Sequence, residues 1–239
     1  MVYPLPTNDF ITLLFTLVFL ENFCVLALYV GGKAFNSYRQ TKGTGTFFFA
    51  LSVVTVAFAI IFLLFEQLLQ IIIYPDPSLV FWRLLMAQIA MVFSGIATVS
   101  IAIFAFNMAF DKAWKILAVI ATVLMLVYEF FWYYGPITWV GFELVPSDIT
   151  NILLFAIDLP LIIIPMLVFF YYAAKSRTES PSKSRMSIFM GLGLLCFVLA
   201  TAIELVGFTD LIIPLVGRFL YIPAILFYYW GLFRVKGEK

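Results

Sequence analysis

Residues 47–74, FFFALSVVTVAFAIIFLLFEQLLQIIIY, form an almost uninterrupted apolar segment with a single charged side chain, Glu66. A helix rises 1.5 Å per residue, so about 20 residues cross the roughly 30 Å hydrocarbon core of a bilayer. This segment is therefore long enough to span a membrane as a helix. Strands of a membrane barrel are about ten residues long and alternate in polarity, so the segment also argues against a barrel.

Other apolar segments of the chain have the same character. Together with residues 47–74 they predict seven transmembrane helices, at about 10–30, 47–74, 79–106, 114–134, 149–172, 186–208 and 211–233. The connections are short and contain the Gly, Pro, Ser and Asp residues typical of turns. We therefore expect an all-α fold, in which residues 1–239 form one integral membrane bundle of seven helices. The first helix lacks a basic leading region and a small-residue cleavage site, so we expect it to be retained.

The charges between these segments predict an orientation. All basic residues except Arg83 and Arg218 fall in alternate connections or at the C-terminus. They are Lys33, Arg39, Lys42, Lys112, Lys115, Lys175, Arg177, Lys183, Arg185, Arg234, Lys236 and Lys239. The opposite connections contain Asp76, Glu143, Asp148 and Asp210. Because Lys and Arg accumulate in cytoplasmic loops, we expect the N-terminus outside and the C-terminus in the cytoplasm of a cell with this protein in its plasma membrane.

The composition excludes several classes of function. With 64% apolar and 11% charged residues, the chain resembles no water-soluble domain. Its clustered basic residues indicate membrane topology and not nucleic-acid binding. It contains no histidine, which excludes imidazole ligation of haem or zinc. Cys24 and Cys196 lie in apolar segments and are read as small buried hydrophobic residues. We expect no cofactor and no metal, and the sequence offers no catalytic nucleophile with a base, which argues against an enzyme.

Ionisable residues within the predicted helices are the main functional signal. They are Glu21, Glu66, Arg83, Glu129, Asp158, Glu204 and Arg218, all at mid-membrane or toward the outer side. A charge at mid-helix costs at least about 2.5 to 3.5 kcal/mol, so each one predicts a partner or a wet cavity. Helical spacing adds Gln70 and Tyr221 to the same faces. We predict an outward-facing polar pocket in which these nine residues are candidates for ligand binding or proton relay.

The acidic residues in this set outnumber the arginines. Ion pairs between helices 2 and 3 and between helices 6 and 7 are the simpler interpretation of Glu66, Glu204 and the two arginines. Glu21, Glu129 and Asp158 are then the surplus carboxylates. A buried carboxylate without a partner takes up a proton or attracts a cation.

The same residues indicate an internal repeat. Their depths match in pairs between helices 1 and 5, 2 and 6, and 3 and 7: Glu21 with Asp158, Glu66 with Glu204, and Arg83 with Arg218. Helices 1 to 3 then correspond to helices 5 to 7, with helix 4 as the connector. Parallel repeats of this 3+1+3 kind occur in transporters. Chance matches among residues that face one outward cavity are the alternative.

Long parts of the chain resemble the seven-helix N-terminal sensing region of certain prokaryotic histidine kinases. The likeness is carried by TFFFALSVVTVAFAIIFLLFEQLLQ (46–70), by SLVFWRLLMAQIAMVFSGIATVSIAIFAFNMAFDKAWK (78–115) and by the C-terminal GLGLLCFVLATAIELVGFTDLIIPLVGRFLYIPAILFYYWGLFRV (191–235). It covers nearly the whole chain and implies a sensory role.

Only Glu66, Phe81 and Trp82 match that family closely. Glu204 and Arg218 depart from it, and no kinase domain follows residue 233. Microbial rhodopsins share the length and orientation, but the seventh helix has no lysine for a retinal Schiff base. The sugar transporters with a 3+1+3 plan are similar in architecture, while their proline set is met only on helix 5.

These observations favour a receptor-like or sensory module. We expect it to bind a small ligand or ion from the outer side and to signal to a cytoplasmic or membrane protein partner. A proton- or cation-linked secondary transporter of a small solute is one alternative. A non-catalytic accessory subunit of a larger membrane complex is the other.

Overall fold

The computed structural model describes residues 7–72, 80–110, 112–134, 137–140, 143–146, 152–206 and 212–234. Within these residues, seven helices are long and apolar enough to cross a membrane, which confirms the predicted helical membrane bundle. The first four are α1 (Thr7–Thr41), α2 (Thr44–Ile72), α3 (Val80–Ala109) and α4 (Trp114–Tyr134). The later ones are α5 (Leu159–Lys175), α6 (Pro181–Val206) and a seventh span made of α7 (Ile212–Phe219) and α8 (Tyr221–Tyr229).

A short hairpin follows α4, in a connection for which the sequence predicts only turns. Strands β1 (Ile137–Val140) and β2 (Glu143–Pro146) pair antiparallel, with Trp139 opposite Leu144. The β-branched and aromatic residues of β1 favour an extended backbone. The hairpin is thus an addition to the expected all-α architecture, outside the seven apolar helices.

Helix α1 continues about three turns beyond its predicted end at residue 30. Residues 31–41 are more polar, but they contain no proline and remain helical. The helix ends at Thr41, and the next residue, Lys42, has a positive φ of 53° and an N–H bond to the carbonyl oxygen of Tyr38, both typical of a helix C-terminus. The polarity of this stretch therefore marks the exit from the apolar region and not the end of the helix.

Prolines interrupt the last helices of the bundle. Pro223 has no N–H, so the carbonyl of Phe219 loses its usual helical donor. The seventh span breaks next to it, at Leu220, whose N–H bonds to the carbonyl oxygen of Gly217, three residues back. A π-helical turn, Leu154–Asp158, precedes Pro160 at the start of α5. A second π-helical turn, Trp230–Arg234, follows α8.

Within the described residues, six spans form a closed ring. Going around it, α1 packs on α2, α2 on α3, α3 on α5, α5 on α6, and α6 on α7 and α8, which contact α1 again. Helix α4 lies outside the ring against α3 and the π-helical turn before α5. We call the end at which α1 begins the N-terminal end, and the end with the Lys- and Arg-rich connections the basic end.

Aromatic side chains fill the ring toward the basic end. Phe49, Phe104, Phe169 and Tyr228 are buried, and we call them the aromatic floor. The ring centroid of Phe49 lies 5.6 Å from those of Phe104 and Tyr228, and Phe104 lies 5.6 Å from Phe169. Residues from α2, α3, α5 and α8 thus interlock at one level of the bundle.

Gly193 on α6 allows the floor to form. A Cβ at this position would overlap the Tyr228 ring and would lie 3.0 Å from the carbonyl oxygen of Ala224. We expect Gly193→Ala to destabilise the fold by about 1 to 3 kcal/mol, because neither the buried ring nor the α8 backbone can yield freely. Thermal unfolding in detergent, followed by circular dichroism, measures the effect.

Gly32→Ala is the matched control for this variant. Gly32 is exposed on α1, nothing lies within 4 Å of the position that a Cβ would take there, and Ala favours a helix over Gly by about 1 kcal/mol. It should leave the melting temperature unchanged or raise it. Equal melting temperatures for the two variants would contradict the packing assigned to Gly193.

Candidate functional site

An interior cavity of about 340 Å³ lies inside the ring of helices. All six ring spans contribute to its wall, and α4 adds Tyr128 and Trp132. Ser52 and Gln67 of α2 both line it, so it extends over about 22 Å along the helix axis. Its volume is in the range typical of sites for small molecules.

The wall of the cavity is mostly apolar, with polar groups at a few places. Of the predicted site residues, Glu66, Asp158, Arg218 and Tyr221 line it. The aromatic floor lies at the basic end, where Tyr228 belongs to both the floor and the wall. The cavity therefore has polar side chains within an apolar wall and packed aromatic rings at one end.

Glu66 is fully matched by neighbouring donors. Arg83 donates from Nε to Oε1 of Glu66 at 2.8 Å, and its Nη2 bonds to the same oxygen. Gln67 donates from Nε2 to Oε2 of Glu66 at 2.7 Å. The side chains of Arg83 and Glu66 are only 11% and 7% exposed, so this is a buried ion pair. The predicted pairing of helices 2 and 3 is confirmed.

The carboxylates of Glu129 and Asp158 differ from that of Glu66 in their hydrogen bonding. Both carboxylate oxygens of Glu129 and Oδ1 of Asp158 are buried and have no hydrogen-bond partner within the described residues. The two carboxyl groups are close enough to interact electrostatically, and Thr98 interacts with Asp158. Gly95 leaves room for the carboxylate of Glu129 against α3, because a Cβ there would overlap Oε1.

The structure corrects the prediction for Glu21. Its side chain is exposed on the outer surface of α1 and does not line the cavity. The burial pattern of α1 places Leu20, Phe23 and Cys24 toward the bundle, so the adjacent Glu21 faces outward. Glu129 lies beside Gly95 and Asp158 but does not line the cavity. Arg83 does not line it either, but it is paired with Glu66, which does. The side chains of Gln70 and Glu204 lie outside the part of the structure that is described.

Several polar wall residues were not predicted. Gln67 directly follows Glu66 and is buried with it, and its Oε1 lacks a partner among the described residues. Tyr128 is completely buried, and its hydroxyl also lacks one there. Its spacing from Trp132 is a signal in the sequence. Tyr128 lies four residues before Trp132, so the two side chains lie on the same face of α4, and both line the cavity.

No family model matches the chain, and neither a curated protein nor a solved structure does. The resemblance to histidine kinase sensing regions therefore stays a prediction from the quoted segments.

The Glu66–Arg83 pair leads to a stability prediction. Replacing Arg83 by Met leaves Glu66 buried without its cation, which we expect to cost about 3 to 5 kcal/mol. Replacing both residues by Met removes the uncompensated charge, so the double variant should recover most of that loss. Thermal unfolding in detergent compares the two, and a double variant less stable than Arg83→Met would contradict the pairing.

Proposed function

We propose that this chain is a receptor-like membrane module that binds a small ligand in the interior cavity and signals to a partner protein. Its N-terminal end faces outward and its basic end faces the cytoplasm, as the charge distribution predicts. The plasma membrane is the membrane that fits this orientation best.

One observation carries the proposal: buried polar groups without partners face a cavity of ligand size. Oε1 of Gln67, the hydroxyl of Tyr128 and Oδ1 of Asp158 have no hydrogen-bond partner within the described residues, and all three side chains line the cavity. Buried polar groups in proteins are normally bonded, because an unsatisfied one costs about 1 to 3 kcal/mol. A ligand that supplies the missing bonds removes this cost and thereby gains affinity.

The seventh span offers a route for the signal. Arg218 and Tyr221 line the cavity on either side of the break at Leu220. A ligand that contacts both can change the angle between α7 and α8. Because α8 continues to the basic end, such a change reaches the surface where a cytoplasmic partner docks. The likeness to kinase sensing regions, carried by Glu66, Phe81 and Trp82, agrees with this role.

A proton- or cation-linked transporter is the second candidate. Two observations favour it: the buried carboxylates of Glu129 and Asp158, and the order of helix contacts in the ring. That order is the one a parallel repeat would produce, since the contacts α1–α2, α2–α3 and α3–α5 correspond to α5–α6, α6–α7 and α8–α1. The aromatic floor closes, in this conformation, the level that a transported solute would have to pass. Solute uptake by proteoliposomes containing this chain alone distinguishes the two functions.

Filling the cavity tests the binding proposal. Ser94 lines the cavity, whereas Val92 on the same helix is 40% exposed on the outer surface. In nanodiscs we expect the wild-type protein and Val92→Phe to bind at least one of two probes, 2-phenylethylamine or 2-phenylethanol, in calorimetric titrations. Ser94→Phe should bind neither, because the added ring occupies the cavity. Equal binding by Ser94→Phe, or no binding of either probe to the wild type, would sink the proposal.

A further inference from the structure

The unpartnered groups near the cavity are mainly acceptors. Within the described residues they include Oε1 of Gln67, both carboxylate oxygens of Glu129 and Oδ1 of Asp158. An ionised carboxylate and an amide oxygen only accept hydrogen bonds. The indole N–H of Trp132 is a donor, and the hydroxyl of Tyr128 serves as either. The group that satisfies this set must therefore be rich in donors.

The charge balance points the same way. Glu66 is neutralised by Arg83, whereas the described residues form no salt bridge to Glu129 or Asp158. Two neighbouring carboxylates in a medium of low dielectric constant attract a positive charge strongly. Arg218 also lines the cavity, but it lies on α7, which packs on α6 and α1 and not at the seam of α3, α4 and α5. A cation is therefore favoured at that seam.

From this geometry we propose that the ligand carries an ammonium group, which binds at Asp158 in the cavity wall, next to Glu129, at the seam of α3, α4 and α5. This inference rests on the proposed binding function and names the chemical class of its ligand. The apolar wall accommodates a hydrocarbon or aromatic body, and Tyr128 and Trp132 supply aromatic faces to the cation. No group of three acidic or cysteine ligands for a metal occurs among the described residues.

The carboxylates are held in place by their surroundings. The carboxylate of Glu129 sits over Gly95, Thr98 interacts with Asp158, and Tyr128 of α4 is completely buried. Asp158 is the last residue of the π-helical turn before Pro160. A preorganised pair of this kind binds an ammonium group without first rearranging.

The two probes test this inference separately from the binding proposal. 2-Phenylethylamine and 2-phenylethanol have nearly the same shape, but only the amine is charged at neutral pH. We expect the wild type in nanodiscs to bind the amine at least about ten-fold more tightly, since hydrogen bonds to charged groups are worth about 1.5 to 3 kcal/mol. Asp158→Asn and Glu129→Gln should each remove this preference and leave the affinity for the alcohol within about two-fold.

Glu21→Gln is the matched control, because it neutralises a carboxylate that faces away from the cavity. It should change neither affinity. If the alcohol and the amine bind the wild type equally, the ammonium site is wrong and the cavity proposal stands. If neither probe binds, the binding proposal fails as well. An equal loss of affinity for both probes in Asp158→Asn and Glu129→Gln would also overturn the ammonium site, because it would assign these residues a structural role.

The outer face of α1 carries a second, independent inference. Its exposed residues include a series whose spacing alternates between four and three: Ile11, Phe15, Val18, Asn22, Val25, Tyr29, Gly32 and Asn36. This average of 3.5 residues is the period of helices that pack against each other as coiled coils. We call this series the α1 stripe.

Asn22 lies in the middle of the stripe and, with Glu21, near the middle of the apolar part of α1. It is about 18 Å along the axis from Phe10 and about 17 Å from Lys33, and lipid offers its amide no hydrogen bonds. Its Nδ2 donates to the carbonyl oxygen of Val18 at 2.7 Å. The second N–H and the amide oxygen make no further hydrogen bond within the described residues.

We infer that a second copy of this chain packs against the α1 stripe, with the two α1 helices parallel about a two-fold axis along the membrane normal. In that arrangement Asn22 meets its own counterpart, and an amide is both donor and acceptor, so the contact is self-complementary. Asparagine at the equivalent position of coiled coils fixes register and pairing. The adjacent Glu21 then lies at the edge of the same interface, where it can accept a hydrogen bond from the amide of the second copy.

Disulfide trapping tests the pairing in liposomes. In a variant with Cys24 and Cys196 replaced by Ala, Val25→Cys on the stripe should form a disulfide-linked dimer under mild oxidation. Val123→Cys, similarly exposed on α4, should not. Adding Asn22→Leu to the Val25→Cys variant should weaken dimerisation roughly ten-fold, in line with the strength of such bonds between membrane helices.

Two outcomes would overturn the α1 pairing. One is equal crosslinking of Val25→Cys and Val123→Cys. The other is a wild-type protein that remains monomeric by single-molecule photobleaching in liposomes. If photobleaching shows monomers and Val25→Cys is crosslinked to a different chain in native membranes, the α1 stripe binds another protein and not a second copy.

Discussion

The cost of polar groups in hydrocarbon governs this structure. Backbone groups in the membrane must bond within their own helix, and charged side chains must find partners or a polar interior. Six spans form a ring, and Glu66, Asp158 and Arg218 line its interior, where Arg83 is paired with Glu66. The Glu66–Arg83 pair, supported by Gln67, ties α2 to α3 near the N-terminal end. Within the described residues, the carboxylates of Glu129 and Asp158 form no such ion pair.

The fold was largely predictable because length and hydropathy determine it. Residues 47–74 are too long and too apolar for any structure but a spanning helix, and the other spans follow the same rule. The Glu66–Arg83 pair was also predictable, since a short connection brings the end of α2 close to the start of α3. The extension of α1 to Thr41 was not, because a polar stretch without proline gives no signal for where a helix ends.

The site was predictable only in part. An almost wholly apolar helix has little periodicity, so the sequence does not indicate which face of α1 turns inward. Glu21 was therefore assigned to the pocket although it faces outward, while Asp158 was placed correctly. The sequence did not predict Gln67 and Tyr128 as site residues, because an amide or a tyrosine in an apolar segment resembles an ordinary interfacial residue. Their importance depends on burial, which arises from packing between helices.

The aromatic floor has an electrical consequence. A membrane potential of 100 mV is worth about 2.3 kcal/mol per elementary charge, and a water-filled passage through the bundle would let ions dissipate it. In the part of the chain that the structure describes, interlocked rings from four helices fill the bundle at that level and obstruct hydrated ions. A ligand held in the cavity would then leave the membrane insulating at the level of the floor. Binding of the kind proposed above would come at no cost to the ion gradients across the membrane.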